Sequence, residues 1–286
     1  MFGSLISSRA NGCLGNPSRV LLLAVLTLAL QNTPRALACE LIDGNSQALV
    51  DSTSDHAMYS WTVDGVSELY RQNFWYRTGS SGTQTPVYYL NNVKNTQTSA
   101  NSATTENANN KLDFTTTYTL EGGSDGSGSA TILESFTVKN LSASAVDLHL
   151  FQYVDFDLDG SYEGDTLQLG KTGALFTSAA QSKGDVVATE TLGVAANHGE
   201  VGLDNLVYNQ LASSHPITLT DTTGPVGPGD AAYAFEWDVT LAGDASFTIT
   251  LQKSIQVVQT VPEPSALALA SLGLVSFIWR RRSSKS

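Results

Sequence analysis

The segment richest in chemistry is Asp155-Phe156-Asp157-Leu158-Asp159-Gly160. Carboxylates at alternate positions, followed by Gly at the sixth, match the first half of a calcium loop, in which oxygen ligands converge around a sharp turn. Ser161 offers a carbonyl at the seventh place and Glu163 a carboxylate at the ninth, but Thr166 stands at the twelfth, where a bidentate Glu belongs. A second reading needs no metal. In a strand, alternation sets Asp155, Asp157 and Asp159 on one solvent face, opposite Phe156 and Leu158, where three like charges discourage edge pairing. Calcium is the one cofactor the residues suggest, and both readings stay open.

Other candidates are weaker. Gly122-Gly123-Ser124-Asp125-Gly126 has the G-x-S-x-G spacing of a nucleophile elbow, which requires a strand–turn–helix, yet it lies in a run of turn residues between two strand patterns. His56, His149, His198 and His215 have no metal-ligand spacing, and no role is assigned to them. Trp61, Tyr70, Phe74, Trp75 and Tyr76 cluster in sequence, with Tyr88 and Tyr89 following. They fill a core or, if exposed, stack on sugar rings; a flat exposed patch of Trp61, Trp75 and Tyr89 near Asp155–Asp159 would mark the second case. No carboxylate pair or triad can be placed, so the chain reads as non-enzymatic.

The elements around these residues alternate with period two. Leu112, Phe114, Thr116, Tyr118 and Leu120 share one face, as do Ile132, Glu134, Phe136 and Val138, with the flexible run Gly122–Ser129 between them. That predicts a hairpin. Val146–Leu158, Ala232–Leu241 and Ser246–Val258 alternate in the same way. Thr96–Asn110 is polar and of low complexity and reads as a long exposed loop, and Gly224–Asp230 as a second irregular one. The expected fold is all-β: a single large antiparallel β-sandwich of roughly a dozen short strands over residues 39–260.

Charge narrows the partners. Within residues 39–264 eight Lys and Arg face all 27 Asp and Glu, a formal −19. So acidic a surface repels phosphate backbones, which argues against nucleic acid. Cys13 and Cys39 are the only cysteines, and both fall in or at the edge of the N-terminal segment, so no disulfide is expected within the domain.

The ends differ from the middle. Arg9 and Arg19 precede the apolar run Val20–Leu30, and Ala36-Leu37-Ala38 follows, the layout of a signal peptide over residues 1–38. Ala36 and Leu37 stand where a lipobox would hold Leu and a small residue, which argues against lipidation of Cys39. At the other end come Val261-Pro262-Glu263-Pro264, the apolar stretch Ala266–Trp279 and Arg280-Arg281-Arg282. As a helix that stretch spans about 21 Å, short of a hydrocarbon core of about 30 Å, with Trp279 and the arginines extending its reach. The basic cluster stays cytoplasmic by the positive-inside rule, which leaves the domain outside.

This tail resembles the PEP-CTERM sorting signal, a Pro-Glu-Pro motif ahead of an apolar helix and a basic cluster. The resemblance implies processing by an exosortase, a membrane-embedded cysteine protease. It implies that Val261, Pro262, Glu263 and Pro264 form the recognition motif and that Arg280, Arg281 and Arg282 form the stop-transfer anchor. The protein is then exported, held transiently in the inner membrane through residues 265–279, and delivered to the cell surface or matrix. The expected function is that of a non-enzymatic matrix protein associated with exopolysaccharide. The alternatives are a carbohydrate-binding module, calcium-dependent or built on an aromatic platform, and a secreted hydrolase.

Overall fold

A computed structural model describes residues 38–258; the signal segment, the sorting motif and the apolar stretch before Arg280–Arg282 lie outside the described residues. Along the chain run β1 (Cys39–Asp43), β2 (Ser46–Asp51), β3 (Ala57–Val63), β4 (Val66–Thr78), β5 (Thr85–Pro86), β6 (Asn92–Ser99), β7 (Ser102–Ala108) and β8 (Leu112–Gly122). There follow β9 (Ser129–Asn140), β10 (Val146–Phe156), β11 (Asp165–Thr172), β12 (Leu175–Lys183), β13 (Val186–Ala196) and β14 (His198–Leu203). A short helix, α1 (Asp204–Leu211), precedes β15 (Val226–Gly229), β16 (Ala231–Leu241) and β17 (Ser246–Val257). Among the described residues, no helix is long and apolar enough to cross a membrane.

Two antiparallel sheets result. The first is ordered β1-β2-β3-β4-β10-β16-β14, with β5 on β4; the second is ordered β15-β11-β12-β13-β17-β9-β8-β7-β6. Side-chain alternation explains the core between them. On β8, Leu112, Phe114, Tyr118 and Leu120 are buried, and on β9, Ile132, Phe136 and Val138. They meet Leu148, Leu150, Phe74 and Phe235 from the first sheet in one continuous cluster. Phe74 stacks on Phe136 across the gap, with ring centroids 4.0 Å apart. Each such side chain contributes about 1.5–3 kcal/mol on burial.

A polar knot lies inside this core. Lys253 Nζ of β17 donates to Glu134 Oε1 of β9 at 2.7 Å and lies 2.8 Å from Glu190 Oε1 of β13. From the other sheet Gln72 Nε2 donates to Glu134 Oε2 at 2.6 Å, Gln152 Nε2 to Glu190 Oε1 at 2.8 Å, and the Tyr233 hydroxyl to Glu190 Oε2 at 2.5 Å. The knot ties the two sheets together with every carboxylate oxygen engaged.

Three features depart from the sequence-based expectation. Thr96–Asn110 is mostly an edge hairpin of β6 and β7 rather than a long loop, paired through Thr96↔Thr104 and Asn95↔Thr105. Its buried positions are Ala103, Thr105 and Asn107, small or polar, so the period-two pattern carries no hydrophobic contrast. The strand expected over Val146–Leu158 stops at Phe156, where the chain turns into a 3-10 segment, Leu158–Gly160. Gly224–Asp230, expected as an irregular loop, carries the short edge strand β15. A helix covers part of the outer face of the first sheet. Val207 and Leu211 of α1 pack there on Trp75, Phe151 and Tyr153, with the small Ala232 and Ala234 making room beneath the helix.

Candidate functional site

At one end of that outer face, ladder geometry gathers charged side chains from distant parts of the chain. Asp155 of β10 pairs with Arg71 of β4 on one side and with Ala232 of β16 on the other. The last β14–β16 pair is Leu203↔Ala231, so the next residues outward, Asp204 and Asp230, face each other. The Asp204 N–H donates to the Asp230 carbonyl at 3.0 Å. Asp204 opens α1, where a carboxylate suits the positive end of the helix. A bulge between Asp155 and Phe156 re-aims the end of β10 at this point.

One carboxylate oxygen from each of Asp155, Asp204 and Asp230 lies within 4.8 Å of the other two. Arg71 Nη2 donates to Asp204 Oδ1 at 2.9 Å, while its Nε is 3.7 Å from Asp155 Oδ2. Tyr153 donates its hydroxyl to Asp204 Oδ1, and the hydroxyl oxygen of Tyr153 is 3.3 Å from Asp155 Oδ2. The guanidinium sits 4.1 Å from the Tyr208 ring centroid, 5.1 Å from that of Tyr153 and 5.3 Å from that of Tyr70, so its faces are clothed by aromatic carbon. Asp155 is 1% exposed, and its Oδ1 has no hydrogen-bond partner.

The electrostatics follow from burial and crowding. Desolvation, then repulsion from Asp204 and Asp157, push the Asp155 carboxyl up to about 9. The half-buried Asp157 is raised to about 6, first by desolvation and then by Asp230 and Asp204. Asp230 is raised for the same reasons. Behind them lies a second tier. Glu68 Oε2 accepts the Asp159 N–H at 2.9 Å, and Lys183 Nζ donates to the Leu158 and Ser161 carbonyls at 2.7 and 2.9 Å, which fixes the turn. Burial lifts the Glu68 carboxyl to about 7.

The three aspartates singled out from sequence therefore part company. Asp155 and Asp157 face Asp204 and Asp230, whereas Asp159, in left-handed backbone with φ 56°, is exposed beside Glu68. The solvent face that alternation assigns to Asp155 is covered by α1 and its tyrosine. Arg71, Asp204 and Asp230 carry no local signal and were not legible, because only strand pairing joins them. The aromatic patch does not form as framed: Trp61 and Trp75 are buried at 0% and 3% exposure, and only Tyr89 is exposed. Gly122–Gly126 sits at the β8–β9 turn with no helix after it. The sorting residues Val261–Pro264 and Arg280–Arg282 lie outside the described residues.

No curated protein matches the chain in sequence. Solved structures do resemble its fold. A bacterial glucoamylase complexed with acarbose superposes with TM-score 0.55 at 10% identity, over 83% of this chain and 36% of that one, so this chain spans about a third of the enzyme's length. The GalM/aldose epimerase homologue from C. elegans gives 0.51 at 9% identity, over 78% of this chain and all of that one. A galactose mutarotase-like protein from Lactobacillus casei gives 0.50 at 10% identity, over 77% and 100%. These likenesses correct the expectation of a non-enzymatic sandwich: this is a fold on which such enzymes are built. The physical reason for the error is that motif reading seeks carboxylates close in sequence, and here they converge from separate strands. Residues 260–282 match the PEP-CTERM protein-sorting motif, so the chain carries that signal and is an exported protein sorted through its C-terminal tail by an exosortase.

Proposed function

We propose that the exported domain is a carbohydrate-acting protein of the cell surface or matrix, with its working centre at Arg71, Asp155, Asp157, Asp204 and Asp230. The observation that carries this reading is the buried Asp155 oxygen without a partner, beside two further carboxylates within 4.8 Å and a single guanidinium. Four carboxylates against Arg71, with Lys183 acting on Asp157 from behind, leave the cluster short of positive charge. An all-oxygen donor set of this kind suits calcium, a hard cation. Asp155, Asp204 and Asp230 would hold it, with Asp157 alongside. Calcium bound there would neutralise the mutual repulsion and supply a Lewis-acidic centre for vicinal sugar hydroxyls.

The substrate class comes from the fold's company: the similar structures are a glucoamylase bound to acarbose and aldose epimerase or mutarotase-like proteins. The exposed Tyr70 edge and the Tyr208 ring beside Arg71 provide carbon surface against which a sugar ring can rest. Without metal, the same carboxylates form an acid–base set, Asp155 protonated near neutrality and Asp157 titrating close to it, which suits proton transfer at an anomeric oxygen. Exopolysaccharide of the matrix is the natural supply of sugar at the site of delivery.

The test is to titrate the full chain with calcium and then measure saccharide binding and turnover on the same sample. Turnover is followed as α/β anomer exchange of galactose by NMR and as release from aryl glycosides. Wild type should bind calcium and act on or retain saccharide, and Asp155→Asn should lose both. Saccharide handling that is absent from wild type, or equal in the variant, would sink the reading.

A further inference from the structure

A second polar cluster lies at the opposite end of the same outer face, beyond α1, and its donor set is different. His149 of β10 pairs with Asp238 of β16, and His198 of β14 pairs with Glu236 of β16. Glu236 and Asp238, two apart on one strand, point to the same side. His149 Nδ1 is hydrogen-bonded to Asp238 Oδ1 and lies 3.4 Å from Glu236 Oε1. One ligand atom from each of His149, Glu236 and Asp238 falls within 4.8 Å of the others. His198 Nε2 approaches Asp238 Oδ2 at 3.6 Å.

Two observations separate this cluster from an ordinary His–Asp pair. Glu236 is fully buried, its Oε2 accepts the Leu219 N–H at 2.9 Å, and its Oε1, turned toward His149, has no hydrogen-bond partner. The second is an outer support. Asp221 Oδ1 takes His198 Nδ1 at 3.0 Å, which leaves His198 Nε2 aimed at Asp238. A carboxylate holding the far nitrogen of a histidine is the arrangement that orients metal-ligating imidazoles. The facing cation is Arg77, opposite His149 on β4, whose guanidinium is committed to the Gly79 and Ile217 carbonyls.

We propose that His149, Glu236 and Asp238, with His198 as a fourth donor, hold a first-row divalent cation of the zinc class. Mixed imidazole and carboxylate donors select such borderline ions over calcium, which takes oxygen alone. The ion would give the orphaned Glu236 oxygen a partner and replace the proton shared between His149 and Asp238. This site is independent of the carbohydrate reading and stands or falls apart from it.

The experiment titrates zinc into the full chain and follows thermal unfolding, with cobalt as a spectroscopic substitute whose visible d–d bands report nitrogen and oxygen ligation. At a hundredfold excess over Kd, the melting temperature should rise by about 5–10 °C. Glu236→Gln and His149→Gln should abolish both the rise and the cobalt bands. Asp221→Asn should weaken zinc affinity at least tenfold while leaving the ligands in place. His215→Gln, outside the cluster, should behave as wild type. Circular dichroism of each variant shows that it folds, so a lost response is not lost structure. A flat zinc titration in folded wild type, or an equal rise in His149→Gln, would overturn the assignment.

Discussion

The inner and outer faces of the first sheet treat buried charge in opposite ways. Inside, Glu134 and Glu190 share the Lys253 ammonium, and all four carboxylate oxygens are matched by Lys253, Gln72, Gln152 or Tyr233. Outside, under α1 and at its two ends, Asp155 and Glu236 each keep one buried oxygen unmatched. The inner knot contains its own cation and joins two sheets, which is a structural task. The outer clusters gather carboxylates beyond what Arg71 and Arg77 neutralise, and an excess of that kind is stable only through raised carboxyl pKa values or an external cation. Burial alone therefore does not mark a site; an unmet oxygen among several converging carboxylates or imidazoles does.

The largest effect that would test this contrast is expected inside. Lys253→Met leaves two buried carboxylates without their ammonium and should cost about 3–5 kcal/mol in urea unfolding. Calcium and zinc should not recover it, because neither outer cluster supplies the missing charge. Replacing Glu134, Glu190 and Lys253 together by apolar residues of similar volume should cost much less than Lys253→Met alone. If Lys253→Met proves as stable as wild type to within about 1 kcal/mol, the knot is not what ties the sheets.

Next in size is the calcium response outside. Wild type should gain about 2.7 kcal/mol at a hundredfold excess over Kd, seen as a rise in melting temperature. Asp155→Asn should show no gain, yet should be at least as stable as wild type without calcium, since a neutral amide replaces a carboxyl that burial already keeps from ionising. An Asp155→Asn protein that still responds would move the cation elsewhere.

A further effect concerns pH in the metal-free protein. Asp155, Asp157 and Glu236 have folded pKa values raised to about 9, 6 and 8, so the folded state holds more protons than the unfolded one above the ordinary carboxyl range. Stability contributed by the protonated forms is full below about pH 4 and is lost as pH rises through those folded values. The melting temperature should thus fall from mildly acidic conditions toward pH 9, and metal should reverse the trend, because binding releases those protons. A slope in Asp155→Asn as steep as in wild type would count against Asp155 as its main source.

The smallest effect should come from removing residues 260–286. β17 ends at Val257, and the Val258 N–H already donates to the Asp185 carbonyl at 2.7 Å, so the last strand is closed before the tail begins. Calcium and zinc titrations should be unchanged in the truncated protein, and its melting temperature should match that of the full chain to within about a degree.

What the sequence determined by itself is local or terminal. Sorting was written in a contiguous signal, the Pro-Glu-Pro motif, apolar stretch and arginines after Thr260. The β class and the β8–β9 hairpin were legible because Leu112–Leu120 and Ile132–Val138 alternate strongly and each side chain's face follows from strand geometry alone. The edge hairpin of β6 and β7 was not, since its inward residues lack apolar contrast. What only the tertiary structure decided is which polar residues meet. Arg71 and Asp204 are 133 residues apart, Gln72 and Glu134 62, and His149 and Asp238 89. Glu134 and Lys253 stood at inward positions of their strands, where a pattern reader sees a defect in an apolar face. Each becomes intelligible only once a strand from elsewhere in the chain brings its partner, because a charge is buried in pairs and the pairing is set by sheet order, which no local period encodes.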